Sequence, residues 1–191
     1  MTLAARGVAI GPLPATDVDA TSGDVVFVPV EGGQRADFLA LILSGRMTPA
    51  AGVVMIDGAE NPSLLRRRVA IVDAPNASAP AAEIPLADVV EEELVFAGLR
   101  APRRAAQKLL ADEHIVDHAR TAIGDVPAAV RIRVLARTAA ARRDVDTLII
   151  VNPDRHGGDT ASWLGPARTW AARGRAVIVL ASHAALDAAR A

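Results

Sequence analysis

The sequence contains no cysteine and no tyrosine, and aromatic residues make up only 3% of its 191 positions. Without cysteine the chain has no disulfides, no thiolate metal ligands and no thiol nucleophile. The scarcity of aromatic side chains removes the stacking surfaces that hold single-stranded nucleic acids. These absences exclude a disulfide-stabilised secreted scaffold, fit a reducing compartment and argue against a nucleic-acid partner.

A charge imbalance and long apolar runs are also missing. The 21 basic and 22 acidic side chains nearly cancel, so no overall positive field attracts nucleic acid. No apolar run approaches the roughly 20 residues that a membrane-spanning helix needs. The run Val8–Ile10 is too short for the core of a signal sequence. We therefore expect a cytoplasmic protein that reaches the inner face of a membrane only through a partner.

The apolar content of 51% is ample for one domain with a sizeable core. Short β-branched runs alternate with longer helical stretches, a pattern that predicts an α/β fold with a mostly parallel sheet. The predicted strands are Val25–Val30, Val53–Ile56, Val69–Val72, Leu148–Val151 and Ala176–Leu180. The last two are almost wholly apolar, as strands covered on both faces should be, so we place them at the centre of the sheet.

The helices are predicted from apolar periodicity and from the glycines that follow several of them. They are Asp37–Ser44, Leu86–Leu99, Pro102–Leu110, Ala128–Arg142, Ser162–Arg173 and a last helix from Ala184 onward. The small, polar, proline-bearing stretch Asp73–Pro80 is predicted to be a loop that leads from the sheet into a helical segment.

The segment Leu39–Gly58 reads LALILSGRMTPAAGVVMIDG, a helix ended by glycine, a proline turn, a second glycine and a strand ended by Asp-Gly. It resembles, without a gap, the segment after the Walker A loop in the ATPase subunits of ABC transporters. Other segments resemble the family in the same order. They are Leu65–Val72 (the strand into the Q-loop), Ile84–Val90 (the start of the helical subdomain), Leu135–Arg137 (the helix after the signature motif), Leu148–Pro153 (the Walker B strand) and Val177–His183 (the strand into the switch histidine).

This resemblance implies an α/β fold with a P-loop NTPase-like parallel-sheet core and a small helical subdomain. Residues 1–191 would form one domain. The sheet core would comprise 1–73 and 144–191, and the helical subdomain about 74–143. A shared fold does not by itself establish a shared function.

The resemblance places Ala36 at the position of the phosphate-binding lysine, with Asp37 and Phe38 at the two hydroxyl positions that follow. Gly32 and Gly33 alone remain of the glycines in the phosphate loop, and Arg35 stands where the last glycine belongs. We do not expect Arg35 to replace the lysine, because its guanidinium is bulky and forked where a compact ammonium is required.

Asp37 is expected in the first turn of its helix, the end that carries about half a positive charge and normally receives phosphate. A carboxylate there would occupy the anion site from within. Two negative charges about 4 Å apart repel by roughly 4 kcal/mol at an effective dielectric constant near 20. A simpler interpretation is that Asp37 caps the helix. Either way, we expect neither ATP nor magnesium to bind, and we predict no metal site.

The other motif positions are also changed. The Q-loop glutamine aligns with Ala74, the Walker B aspartate with Val151 and the water-polarising carboxylate with Asn152, whose amide cannot accept a proton. The signature segment aligns with Asp125–Val130, without its serine and glycines. Only His183 stands at a functional position, that of the switch histidine, and we expect it to be a hydrogen-bonded histidine in a loop.

Two polar stretches remain. Five arginines could contact acidic lipid or RNA, although a solvated basic face is the simpler expectation; they are Arg131, Arg133, Arg137, Arg142 and Arg143. Residues Asn152–Asp159 follow the carboxyl end of a strand, where α/β sheets bind ligands. We interpret them as a relic loop and leave open whether another ligand occupies the old cleft.

The leading hypothesis is a catalytically inactive subunit that docks on, or regulates, a membrane permease or a competent ATPase. In the family, membrane coupling uses the cleft beside the helical subdomain, here around Ala74–Leu99. A second hypothesis is an asymmetric dimer in which His183 contributes to one composite ATP site. A third is a free-standing scaffold or homodimer.

Overall fold

A computed structural model of the chain describes residues 1–31, 34–100 and 102–190. Its strands are β1 Thr2–Ile10, β2 Leu13–Thr21, β3 Val25–Pro29, β4 Ala51–Ile56, β5 Val69–Val72, β6 Thr147–Val151 and β7 Ala176–Ala181. Its helices are α1 Arg35–Leu43, α2 Pro62–Arg68, α3 Leu86–Phe96, α4 Pro102–Asp112, α5 Ala128–Ala139, α6 Ala161–Ala172 and α7 His183–Arg190. Short 3-10 turns lie at Val116–His118 and Pro153–His156.

The four strands β3, β7, β6 and β5 form a parallel sheet in that order. Every residue of β6 and β7 is buried, because both faces of a parallel sheet are covered by other elements. The predicted α/β class and the predicted central strands are therefore confirmed.

A second sheet is antiparallel and has the order β2-β1-β4. No strand was predicted for residues 2–21. The register of the β1–β2 pair shifts between Ala5 and Val8. Such a shift breaks the two-residue alternation by which a half-buried strand is recognised. In β2, Asp17 and Asp19 further weaken the sequence signal, because aspartate is depleted in strands.

The predicted strand Val69–Val72 is confirmed as β5, but helix α2 was missed, and it takes up the first half of the segment Leu65–Val72 that resembles the strand into the Q-loop. Leu65–Arg68 end the helix, and the strand begins at Val69. Pro62 begins the helix, where its missing N–H costs nothing. The Asn61 side chain accepts a hydrogen bond from the Leu64 backbone N at 2.9 Å, so local capping favours a helix here.

The core is divided by the parallel sheet into two apolar layers. Leu148 and Ile150 face a cluster that includes Leu86 and Ile132 of the helical segment. Ile149 and Val151 face a cluster formed with α1 and the antiparallel sheet. The described residues of segment 74–143 contain helices and no strand. Within the part of the chain that the structure describes, no helix is long and apolar enough to cross a membrane.

Candidate functional site

A cavity of about 210 Å³ lies at the carboxyl ends of β3, β6 and β7, beside the start of α1. It is lined by Val30, Glu31, Ala36, Asn152, Asp154, Arg155 and Ser182. Parallel strands bring their carboxyl ends to one edge of the sheet, which is where α/β proteins place ligands. The stretch interpreted from sequence as a relic loop therefore supplies three side chains to a cavity.

The polar side chains of this cavity are mostly acidic or already engaged. The Ser182 hydroxyl donates to Asp154 Oδ2 at 2.7 Å. Glu31 Oε1 accepts a hydrogen bond from the His183 backbone N at 2.7 Å. Arg155, the one cation in the lining, pairs with Asp73 and donates to the Val151 carbonyl. The cavity thus presents two carboxylates and no uncommitted cation of its own.

Asp37 lies in the first turn of α1 and is only 3% exposed. Its Oδ2 accepts a hydrogen bond from Asn76 Nδ2 at 2.5 Å, whereas its buried Oδ1 has no hydrogen-bond partner among the described residues. The N-cap residue of α1 is Gln34. The interpretation of Asp37 as a helix cap is therefore wrong, because its side chain turns to the loop after β5 instead.

Of the remaining predicted site residues, the structure describes Arg35 and His183, and both hydrogen-bond to Glu31. Gly32 and Gly33 lie outside the described residues. The Arg35 side chain is half-buried and donates to the Glu31 carbonyl at 3.3 Å. His183 is exposed, and it is the first residue of α7. The last helix was predicted to begin at Ala184, so the loop position expected for this histidine is wrong by one residue.

A buried ionic cluster, which the sequence did not reveal, lies next to the cavity. Its centre is Asp73, the residue after β5, whose side chain is fully buried and whose φ is +61°. Arg131 of α5 binds both oxygens, at 2.7 and 2.9 Å. Arg155 contacts Oδ1 at 2.9 Å and His156 contacts Oδ2 at 2.8 Å. Three separate segments of the chain are therefore tied together by one carboxylate.

The ionisation of this carboxylate is set by opposing effects. Burial alone would raise the pKa of Asp73, but the hydrogen bonds from Arg131 and His156 and the charge of Arg155 outweigh it and hold the pKa below its ordinary value. Burial likewise lowers the pKa of Arg155, and the charge of Asp73 opposes that effect. The Asp73 carboxyl is thus ionised under ordinary conditions.

Arg131 is only 3% exposed, so the expectation that it belongs to a solvated basic face is wrong. Arg143 of the same set is exposed, as expected. One sequence signal could have distinguished them: Arg131 lies four residues before Leu135 and therefore on the apolar face of α5. A charged residue on the apolar face of a helix needs a buried partner.

A groove of about 190 Å³ separates the sheet core from the helical segment. It is lined by Leu41, Arg46, Ala70, Ile71, Ala77, Ser78, Glu93, Phe96, Thr138, Ala139 and Arg142. Phe96 is 71% exposed and its neighbour Val95 is 52% exposed. Burial, with the charge of Glu92, raises the pKa of Glu93. The groove therefore combines an exposed aromatic ring with arginines and a carboxyl whose pKa is raised by burial.

No known family model matches the chain, and no curated protein matches it in sequence. Solved structures do resemble it. An ATP-binding subunit of an ABC transporter has a TM-score of 0.64 and 18% identity, covering 97% of this chain and 81% of its own.

Two further structures agree. A bacterial ABC transporter cassette solved as a dimer has a TM-score of 0.69 and 17% identity, with 98% of this chain and 90% of its own covered. A Pyrococcus furiosus protein assigned as an ABC transporter ATP-binding protein has a TM-score of 0.67 and 13% identity. The match covers 96% of this chain and 92% of that protein. The chain therefore has the fold of an ABC ATPase, and likeness at such identities establishes the fold alone.

Proposed function

We propose that this protein is a catalytically inactive ABC ATPase-like subunit that docks on, or regulates, a membrane permease or a competent ATPase. The observation that carries the proposal is the buried carboxylate of Asp37 in the first turn of α1. In this fold that turn is where the phosphates of a nucleotide are received. The helix dipole then stabilises the protein's own anion in place of the ligand's.

The described residues do not suit magnesium and a triphosphate. Ala36 offers no charge, and Glu31 and Asp154 bring two further carboxylates to the cavity. A phosphate within about 4 Å of one carboxylate would be repelled by roughly 4 kcal/mol at an effective dielectric constant near 20. That repulsion offsets about two charge-assisted hydrogen bonds.

The chemistry of hydrolysis lacks side chains as well. Val151 and Asn152 end the strand β6 and enter the following turn, where the family carries two carboxylates. An aliphatic side chain cannot bind magnesium, and an amide cannot act as a general base. The proposal therefore assigns the fold to binding rather than to turnover.

The docking part of the proposal rests on the groove between the sheet core and the helical segment. Family resemblance implies membrane coupling around Ala74–Leu99, and this range includes the exposed Phe96 and the half-buried Glu93. An exposed aromatic side chain beside a groove is the kind of anchor that dominates protein interfaces. A cytoplasmic segment of a permease is the occupant that we infer.

The nucleotide part is tested by calorimetry of the isolated chain with Mg-ATP. We expect weak or absent binding. Micromolar affinity, about −8 kcal/mol, would contradict inactivity. Replacing Asp37 with serine removes the carboxylate, so this variant should bind Mg-ATP more tightly than the wild type if the carboxylate excludes phosphate.

The docking part is tested by co-purification from solubilised membranes with the Phe96→Glu variant. Val116→Glu is the matched control, because Val116 is also exposed, at 56%, but lies away from the groove in the 3-10 turn. We expect a permease or an ABC-type ATPase to co-purify with the wild type and with the control, but not with Phe96→Glu. Recovery of neither class of partner would refute the docking role.

The second candidate is a composite ATP site in an asymmetric dimer. It is favoured by the exposure of His183 at the rim of the cavity, next to Ser182. This hypothesis requires Mg-ATP to bind only the mixed complex, and His183→Ala to weaken that binding. Titration of the isolated chain and of the complex with the same nucleotide distinguishes the two candidates.

A further inference from the structure

A basic cavity of about 390 Å³ lies at the edge of the parallel sheet opposite to the site described above. It is lined by Leu64, Arg67, Arg68, Arg143, Asp144, Asp146 and Arg175. These residues lie around the amino ends of β5, β6 and β7. Four arginines against two aspartates give the lining an excess of positive charge. None of the sequence motifs described above accounts for this cavity.

Most of that positive charge is uncommitted. Arg68 is engaged, since its Nη1 lies 2.5 Å from Asp57 and its Nε 2.6 Å from Asp146 Oδ2. Among the residues that the structure describes, the guanidinium groups of Arg67, Arg143 and Arg175 form no hydrogen bond and no ion pair. Free guanidinium groups around one cavity favour an anion with several oxygens, because their forked donors match its geometry.

Two residues of the lining each have one buried atom without a hydrogen-bond partner in the part of the chain that the structure describes, and the two atoms differ in kind. Arg175 Nε is a donor without an acceptor, and Asp146 Oδ1 is an acceptor without a donor. Buried polar atoms are nearly always hydrogen-bonded. A ligand that satisfies both atoms must present an oxygen acceptor and a hydroxyl donor together. A phosphate that retains one proton does so, whereas sulfate at neutral pH offers acceptors only.

We propose that this cavity binds a protonated phosphate group, either free or as a phosphate monoester. Arg175, Arg67 and Arg143 would hold its oxygens, and Asp146 Oδ1 would accept its P–OH hydrogen. One water occupies about 30 Å³, so the cavity has room for a phosphate and part of a substituent. The proposal does not depend on the docking role, because it uses the opposite edge of the sheet.

The test is calorimetry of the full chain with inorganic phosphate and with sulfate at low ionic strength and about pH 6, close to the second pKa of phosphate monoesters. We expect phosphate to bind with a dissociation constant on the order of 1 mM. It should bind about tenfold more tightly than sulfate, because the Asp146 carboxylate repels an anion that cannot donate to it.

The variants assign the binding to this cavity. Arg175→Met should weaken phosphate binding about tenfold, since it removes a charge-assisted donor. Arg67→Met and Arg143→Met change exposed side chains and should also weaken it without affecting folding. Asp146→Asn should abolish the preference for phosphate over sulfate. Arg120→Met is the matched control, because Arg120 is an exposed arginine outside the cavity. This variant should bind phosphate as tightly as the wild type does.

Several results would overturn the proposal. Equal binding of sulfate and phosphate by the wild type would reduce the site to a nonspecific anion patch. If Arg67→Met and Arg143→Met bind phosphate as tightly as Arg120→Met does, the binding site lies elsewhere. If the wild type binds no phosphate in any form, the proposal is refuted. Thermal melting of each variant separates lost binding from lost folding.

The source of the phosphate is decided by a second experiment. Vesicles of phosphatidylcholine with phosphatidic acid carry the same protonated monoester on a surface. If the wild type and Arg120→Met co-sediment with these vesicles but Arg67→Met does not, the ligand of the cavity is a lipid headgroup. Phosphate binding in solution without such co-sedimentation would assign it to a soluble phosphate or monoester.

Discussion

Replacing Arg131 with methionine tests whether the buried Asp73 cluster holds the helical segment to the sheet. The substitution removes two hydrogen bonds to Asp73, of 2.7 and 2.9 Å, and one to the Ile123 carbonyl at 2.9 Å. Removing one partner of a buried ion pair costs about 3–5 kcal/mol, because the other charge stays buried. Arg155 and His156 still contact the carboxylate, so we expect the lower end, about 3 kcal/mol.

The loss is measured as the free energy of unfolding, from denaturant titrations followed by circular dichroism. At about 2–4 °C per kcal/mol for a chain of this size, the melting temperature should fall by about 6–12 °C. Arg133→Met is the matched control on the same helix. Arg133 is 42% exposed and pairs at 3.1 Å with Glu113, which keeps a second ion pair with Arg137, so its loss should cost only about 0–1 kcal/mol.

The double variant Arg131→Met, Asp73→Asn isolates the cause of the loss. Asparagine tolerates the left-handed backbone of position 73, and it removes the carboxylate that Arg131→Met leaves without its main partner. The double variant should therefore be less destabilised than the sum of the two single variants. If Arg131→Met costs no more than Arg133→Met, or if the two changes are additive, the argument for a stabilising cluster fails.

Two further predictions concern pH and backbone strain. The pKa of Asp73 is lower in the folded chain than the unfolded value of about 3.9. The contribution of this carboxylate to folding stability is therefore complete above the unfolded pKa, and it is lost as the pH falls through the folded pKa. Denaturation at a series of acid pH values should show this loss in the wild type and a flatter profile in Asp73→Asn; equal slopes would contradict it. Gly45→Ala should cost about 2–4 kcal/mol by thermal melting, because φ is +68° and the new Cβ would lie 2.6 Å from the Pro62 carbonyl oxygen. Gly98→Ala, at φ +78° with nothing within 4 Å, should cost only the backbone term of about 1–2 kcal/mol, and an equal loss in both variants would contradict the steric argument.

The candidate site was predictable where the signal is local. Asp37 was expected in the first turn of a helix, and the structure places it there. Ala36, Val151 and Asn152, at the positions where the family resemblance implies a lysine and two carboxylates, can be read from the chain once the surrounding apolar pattern is recognised. Sequence could not show that Asp37 turns to Asn76, 39 residues away. A hydrogen bond across that separation leaves no periodic trace in the chain.

The sequence by itself determined the α/β class and the central strands β6 and β7, because strand and helix periods and continuous apolar runs are properties of short segments. Only the tertiary structure decided the rest. It paired the irregular strands β1 and β2, and it brought Arg131 and His156 to Asp73 across 58 and 83 residues. It also gathered Arg67, Arg143 and Arg175 around one cavity. The physical reason is that burial and charge pairing depend on neighbours in space, and those neighbours are fixed only when the sheet and its helices pack together.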